Sequence, residues 1–123
     1  MQSPPKILLL DDFPDSCEAV ATWLELEGFS ASCAETVEAA LEALARERFD
    51  AVLMEPHLRS GPASRVAVAA RAGTGGQVLL VSMSASGRAG DHTSYEPTLF
   101  HHNFVKPVPL QQLGRLLATE LLT

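Results

Sequence analysis

Short unbroken apolar runs alternate along this chain with longer segments in which apolar residues recur every three or four positions. The runs cover residues 7–10, 51–54 and 78–81, and polar or turn-forming residues follow each of them. A short apolar run of this kind is typical of a strand that is buried on both faces, as in a parallel sheet. The segments between the runs have the period of amphipathic helices. The pattern therefore predicts βαβ units and an α/β fold with a parallel sheet.

Helix signals and one alternating segment complete the predicted elements. One helix is expected from Pro14 to a stop at Gly28, another after the capping residue Thr36, and the last from Pro109. Residues 29–33 alternate apolar and polar side chains, which favours a strand near an edge of the sheet. The predicted buried stripes of the three helices are Cys17, Val20, Ala21 and Leu24; Val37, Ala40, Leu41 and Leu44; and Leu110, Leu113, Leu117 and Leu121.

The region between the fourth and fifth predicted strands is the least regular part of the chain. Residues 63–72 are rich in alanine and predict a third helix, and residues 104–105 predict a short fifth strand. A fourth helix is needed within residues 85–103 to complete the alternation. This segment contains two glycines, Pro97 and a polar run without a helical stripe. We therefore expect the fourth helix to be short or irregular.

Length and composition limit the possible classes of protein. The 123 residues are expected to form a single domain, residues 1–123, with one real core. A net charge of −6 argues against direct nucleic-acid binding, which selects basic surfaces. The apolar runs are too short to span a membrane, and the N-terminus lacks a signal-peptide pattern. We therefore expect no membrane partner and a cytoplasmic location.

The cysteines and histidines do not predict a metal site. Cys17 and Cys33 fit no metal-ligand spacing, and in a reducing compartment both are expected to be small core residues. A disulfide or a reactive thiol is the alternative. His101 and His102 have no third ligand near them in the sequence, so they are expected to be ordinary loop residues.

Polar side chains follow four of the predicted strands, at the point where each strand ends. Asp11 and Asp12 follow the first, Glu55 the third, Ser82 the fourth and Lys106 the fifth. The carboxyl ends of parallel strands meet at one edge of a sheet, so these groups are expected in one crevice. Clustered carboxylates repel one another unless a cation such as Mg²⁺ or a lysine joins them. With a hydroxyl beside that cation, the crevice suits a phosphoryl group.

The four segments ending at these residues together resemble the receiver domain of bacterial two-component response regulators. They are ILLLDD at residues 7–12, AVLME at 51–55, VLLVS at 78–82 and VKP at 105–107. Each piece alone is common, but the four in this order are specific, and the resemblance covers essentially the whole chain. It implies a flavodoxin-like (CheY-like) fold with five parallel strands in the order 2-1-3-4-5 and helices on both faces. It also implies a cis peptide bond between Lys106 and Pro107.

The resemblance also implies roles for individual residues. Mg²⁺ would be held by Asp11, Asp12, the carboxylate at position 55 and the main-chain carbonyl of His57, and a histidine kinase would donate the phosphoryl group. The groups that contact the phosphate or report the switch would be Ser82, Lys106, Asn103 and Phe104. The implied partners are a histidine kinase or another signalling protein, with a homodimer as a further possibility.

Several positions depart from the family pattern. Receivers carry an aspartate as phosphoacceptor, whereas this chain has Glu55, whose extra methylene moves the carboxylate outward. A misplacement of about 1 Å can slow a transfer reaction on the order of a hundredfold. Glu55 also imitates a phosphorylated aspartate in part, with one charge against roughly two. Arg59 replaces the usual proline in a shortened loop, and Met83 replaces the small residue after the switch hydroxyl.

We interpret the chain as a degenerate receiver, or pseudo-receiver, that is not an enzyme and acts through protein–protein contacts. Mg²⁺ binding is expected to be weak or absent. The alternative is a functional response regulator that accepts a phosphoryl group from a histidine kinase with Mg²⁺. A flavodoxin-like enzyme or nucleotide binder is a third hypothesis. It is disfavoured because no glycine-rich loop follows the first strand.

Overall fold

The computed structural model describes residues 3–85 and 97–122, and helices and strands alternate as predicted as far as residue 85. A short 3-10 turn at Pro97–Leu99 precedes the last strand. Residues 86–96 lie outside the described residues, and with them most of the segment in which an irregular fourth helix was predicted. No helix in the described ranges is long and apolar enough to cross a membrane. In chain order the elements are β1 Lys6–Leu10, α1 Pro14–Leu26, β2 Ser30–Ala34, α2 Val37–Arg46, β3 Ala51–Met54, α3 Ala63–Thr74, β4 Leu79–Ala85, β5 His102–Lys106 and α4 Leu110–Leu121.

The five strands form one parallel sheet in the order β2-β1-β3-β4-β5. This confirms the predicted fold class and strand order. The alternating segment β2 lies at one edge of the sheet, as its pattern indicated, and β5 lies at the other edge. The unbroken apolar runs of β1 and β3 occupy the centre, where both faces of the sheet are covered.

Alternating side chains of the central strands divide the core into two clusters. Leu8, Leu10 and Val52 point to the face covered by α2 and α3, whereas Ile7 and Leu9 point to the face covered by α1 and α4. All five side chains are essentially inaccessible to solvent. The burial of both faces confirms that the short apolar runs are strands buried on both sides. β1 and β3 end where these runs end, at Leu10 and Met54.

Several local predictions are confirmed. The Thr36 side chain accepts a hydrogen bond from the Ala39 amide at 3.0 Å and caps α2. Gly28, after α1, has a φ of 99°, a conformation that favours glycine. The peptide bond between Lys106 and Pro107 is cis, as the resemblance implied.

The last two strands are longer than predicted. The apolar run stopped the prediction of the fourth strand at residue 81, but β4 continues to Ala85 and pairs with β5 from His102 onward. Ser82 and Ser84 are polar yet buried within β4. The Ser82 hydroxyl is hydrogen-bonded to Asn103 on the neighbouring strand. The hydrogen bond to Asn103 on β5 satisfies the buried Ser82 hydroxyl. The pattern of one strand cannot predict a hydrogen-bond partner that lies on another strand.

Two core predictions are wrong. Cys33 is exposed, whereas Cys17 is buried as expected. Cys33 belongs to the edge strand β2, where burial is incomplete on both sides. Leu110 is 37 % exposed because it lies in the first turn of α4, at the rim of the sheet, while Leu113 and Leu117 are buried.

His101 extends the pairing between β4 and β5, a role that its sequence context did not indicate. Its Nδ1 accepts a hydrogen bond from the Leu80 amide at 3.0 Å, and its own amide donates to the Leu80 carbonyl at 2.8 Å. Leu80 is fully buried, so its amide depends on this imidazole as an acceptor.

We predict that His101→Ala lowers the free energy of unfolding by about 1 kcal/mol, because the buried Leu80 amide loses its acceptor. Urea unfolding of the purified variant measures the change. His102→Ala removes the same ring from the next position and is expected to change stability by less than about 0.5 kcal/mol. Equal losses in the two variants would contradict the assigned hydrogen bond.

Candidate functional site

The carboxyl ends of β1 and β3 place three carboxylates at one edge of the sheet. The Asp11 amide donates to the Ala34 carbonyl at 3.1 Å, and the Glu55 amide donates to the Leu10 carbonyl at 2.9 Å. The parallel hydrogen bonding thus continues one residue beyond each strand and fixes the backbone that carries these side chains. Asp11 and Glu55 are both buried, with 3 % and 6 % of their surface exposed.

Lys106, at the end of β5, connects the two buried carboxylates. Its Nζ donates a hydrogen bond to Asp11 Oδ2 at 2.7 Å and lies 3.3 Å from Glu55 Oε2. Burial alone would lower the pKa of Lys106, but the ion pairs with Asp11 and Glu55 outweigh it and hold this pKa above its ordinary value. The lysine therefore remains charged and serves as the countercharge that the sequence predicted for this crevice.

The other oxygens of the same carboxylates are held by the loops that follow the strands. Asp11 Oδ1 accepts a hydrogen bond from the Phe13 amide at 3.0 Å. Glu55 Oε1 accepts one from the His57 amide at 3.1 Å. The Glu55 side chain thus turns back onto its own loop, and His57 acts there through its N–H as a hydrogen-bond donor. The longer side chain of glutamate makes this contact together with the one to Lys106.

Asp12 is paired with Arg59, from the loop between β3 and α3. Asp12 Oδ2 accepts a hydrogen bond from the Arg59 amide at 3.0 Å and lies 3.5 Å from Arg59 Nε. The guanidinium carbon of Arg59 also lies over the Phe13 ring, 5.6 Å from its centroid. The sequence pattern predicted no function for Arg59. The available signal was its presence where the family pattern has proline.

The predicted switch residues lie in the sheet, beside the carboxylates and Lys106. The Ser82 hydroxyl donates to Asn103 Oδ1 at 2.6 Å, and the two residues are directly paired between β4 and β5. Phe104 is half-buried and packs against the cluster under α1 and α4. Met83 is buried in the same cluster and lines a small, mostly apolar cavity of about 210 Å³ next to Asp11 and Lys106. Ser82 thus contacts the predicted switch position Asn103.

Most of the carboxylate oxygens that the resemblance assigned to Mg²⁺ contact nitrogen atoms of the protein in this structure. All four carboxylate oxygens of Asp11 and Glu55 contact a nitrogen of the protein. Across residues 3–85 and 97–122, no group of three or more histidine, cysteine, aspartate or glutamate residues is arranged to hold a metal ion. Three carboxylates and two cationic side chains leave one net negative charge. The arrangement is therefore a cluster that is largely neutralised from within.

Comparison with known proteins identifies the architecture. No known family's sequence model matches the chain, and no curated protein matches it. Many solved receiver domains do match in structure. The receiver domain of the sensor histidine kinase PA1611 from Pseudomonas aeruginosa PAO1, solved with magnesium in its active-site cleft, has a TM-score of 0.82 and 22 % sequence identity. The match covers 98 % of this chain and 99 % of that one.

Two further structures show the same likeness. A response regulator receiver protein from Pseudomonas putida has a TM-score of 0.81 and 19 % identity, over 97 % of this chain and 99 % of that one. The response regulator TrrA from Thermotoga maritima, solved with Mg²⁺ and BeF, has a TM-score of 0.78 and 21 % identity, over 95 % and 99 %. At these identities the likeness shows the fold, which is that of CheY-like receiver domains.

Proposed function

We propose, from the receiver-domain fold, that this chain is a receiver-like module of two-component signal transduction. In this proposal its phosphoryl acceptance is impaired, and it acts by binding other proteins rather than as an enzyme. The observation that carries the proposal is the position of Glu55. It stands at the end of β3, where the resemblance implies an aspartate, and both of its oxygens contact protein nitrogens.

Phosphoryl transfer to a receiver needs a carboxylate oxygen that is free to attack. The oxygen forms a bond to phosphorus, in line with the bond from phosphorus to the donor nitrogen, which breaks. Glu55 Oε1 is held by the His57 amide and Oε2 lies beside Lys106. Turning either oxygen toward a donor would break one of these contacts. The added methylene also displaces the carboxylate, and in-line transfer tolerates little displacement.

We predict that the protein gains no phosphoryl group from a small phosphodonor such as acetyl phosphate in the presence of Mg²⁺. Intact-mass spectrometry measures this directly, because phosphorylation adds about 80 Da. A receiver domain with an aspartate acceptor, incubated in parallel, shows that the donor is active. A stable adduct localised to Glu55 would contradict the proposal and would establish the alternative, a functional response regulator.

The edge formed by β5 and α4 is the surface that we propose for partner binding. Val105 on the edge strand is 56 % exposed, and Leu110 at the start of α4 is 37 % exposed. These exposed apolar side chains lie next to Lys106, which contacts Asp11 and Glu55. A change in the contacts of Lys106 could therefore alter a surface that a partner can bind. The proposed partner is a histidine kinase or another signalling protein, and a second copy of this chain is the alternative. The net charge of −6 disfavours nucleic acid.

A further inference from the structure

The loop after β3 brings a positive charge into contact with the acidic edge of the sheet. Arg59 lies 47 residues from Asp12 in sequence, yet both its amide and its Nε approach Asp12 Oδ2. The Asp12 side chain is only 10 % exposed, whereas that of Arg59 is 79 % exposed. The carboxylate is therefore largely removed from water, and the arginine shields its open side.

We infer that Arg59 and Lys106 together take the place of a divalent cation, so that Arg59 keeps Mg²⁺ out of the pocket. Lys106 supplies one positive charge between the two inner carboxylates, Asp11 and Glu55, and Arg59 supplies one beside the outer carboxylate, Asp12. The inference deepens the proposed function and rests on it, since it supplies a reason why a receiver-like pocket would do without a metal ion.

Two contacts of Arg59 distinguish this role from that of an ordinary surface ion pair. Its main-chain amide is bonded to the same carboxylate oxygen, which anchors the loop independently of the side chain. Its guanidinium also lies over the exposed ring of Phe13, which is attached to the Asp11–Asp12 turn. An isolated exposed pair has neither restraint and spends much of its time open. Here the charge is held at the entrance to the acidic edge.

The charge of Arg59 opposes a dication electrostatically. A dication bound to Asp12 would lie within a few ångströms of the guanidinium, and it would displace the ion pair that now holds Asp12. Because the guanidinium is exposed, solvent and salt weaken this repulsion. We therefore expect removal of the charge to raise Mg²⁺ affinity on the order of tenfold at low ionic strength, and by less in high salt.

The test is Mg²⁺ binding to the full chain with Arg59→Gln. Glutamine keeps the main-chain N–H that donates to Asp12 Oδ2, so the variant removes the charge while the loop remains anchored. A titration with MgCl₂, followed through the backbone amide signals of Asp12 and Phe13 by NMR, reports binding without any activity assay. We predict that the variant binds Mg²⁺ about tenfold more tightly than the wild-type protein.

Two matched variants control for net charge and side-chain shape. Arg65→Gln removes an arginine whose Nη1 lies 3.5 Å from Glu38, an ion pair of the same length on the outer surface. It is expected to bind Mg²⁺ like the wild-type protein. Arg59→Lys retains the charge and is also expected to behave like the wild-type protein. A gain with Arg65→Gln equal to that with Arg59→Gln would overturn the inference.

The remaining outcomes also decide the question. A change of less than about threefold with Arg59→Gln, or no detectable binding by any variant, would show that Arg59 does not exclude the ion. Tight Mg²⁺ binding by the wild-type protein would overturn this inference, yet it would leave the proposed function standing if no phosphoryl adduct forms. A phosphoryl adduct on the wild-type protein would overturn the proposed function, whatever the metal titration shows.

Discussion

Replacing Lys106 with methionine is expected to lower the free energy of unfolding by about 3 kcal/mol, because it leaves two buried carboxylates without their cation. Lys106 Nζ is hydrogen-bonded to Asp11 at 2.7 Å and lies 3.3 Å from Glu55, and both carboxylates are more than nine-tenths buried. Methionine retains much of the length and apolar volume of the lysine side chain. The loss therefore reports mainly the missing charge.

Urea or guanidinium unfolding measures this loss, and a second lysine provides the control. Lys6 Nζ forms an ion pair with Glu47 at 2.9 Å, but both side chains are more than 40 % exposed. Lys6→Met is expected to cost at most about 1 kcal/mol, the usual range for an exposed pair. A similar, small loss for both substitutions would show that the Lys106 cluster contributes no more to stability than a surface contact does.

Glu55→Asp is expected to increase the ability of the pocket to accept a phosphoryl group. The shorter side chain withdraws the carboxylate by one methylene, toward the position that the family's acceptor occupies. If about 1 Å of misplacement costs a hundredfold in rate, correcting it should raise adduct formation by a similar order. Intact-mass spectrometry with acetyl phosphate and Mg²⁺ measures the rate at which an adduct of about 80 Da appears.

The effect is expected to be larger when Arg59→Gln is added, because the metal then enters more easily. Glu55→Asn provides a side chain of the same size as aspartate without a nucleophilic oxygen anion, and no adduct should form on it. If the double variant Glu55→Asp with Arg59→Gln gains neither Mg²⁺ affinity nor an adduct, the glutamate is not what disables the site. The shortened loop or the buried Met83 would then be responsible.

The sheet was predictable because its central strands are encoded by local patterns. The runs that became β1 and β3 are apolar at every position, and such strands need cover on both faces. Their order, 2-1-3-4-5, came from the resemblance rather than from the pattern. The full extent of β4 was not predictable, because Ser82 and Ser84 are polar and become acceptable inside only when β5 lies beside them.

The members of the candidate site were predictable, but their pairing was not. Asp11, Glu55 and Lys106 were expected at one edge because parallel strands end together. Two contacts depend on the path of a short loop. They are the hydrogen bond from the His57 amide to Glu55 and the pairing of Arg59 with Asp12. Loop conformation is determined by contacts between residues that are distant in sequence, and hydrophobic periodicity does not predict such contacts.

The ion pair between Lys106 and Asp11 joins residues 95 positions apart, and this has a consequence for biosynthesis. A chain that emerges N-terminus first presents Asp11, Asp12 and Glu55 well before Lys106 is made. Until β5 docks, Asp11 and Glu55 lack the lysine that offsets part of their charge, so the nascent domain gains little from closing this edge. When β5 docks, it completes the sheet and supplies Lys106 in one event, which couples closure of this edge to the arrival of the last described strand.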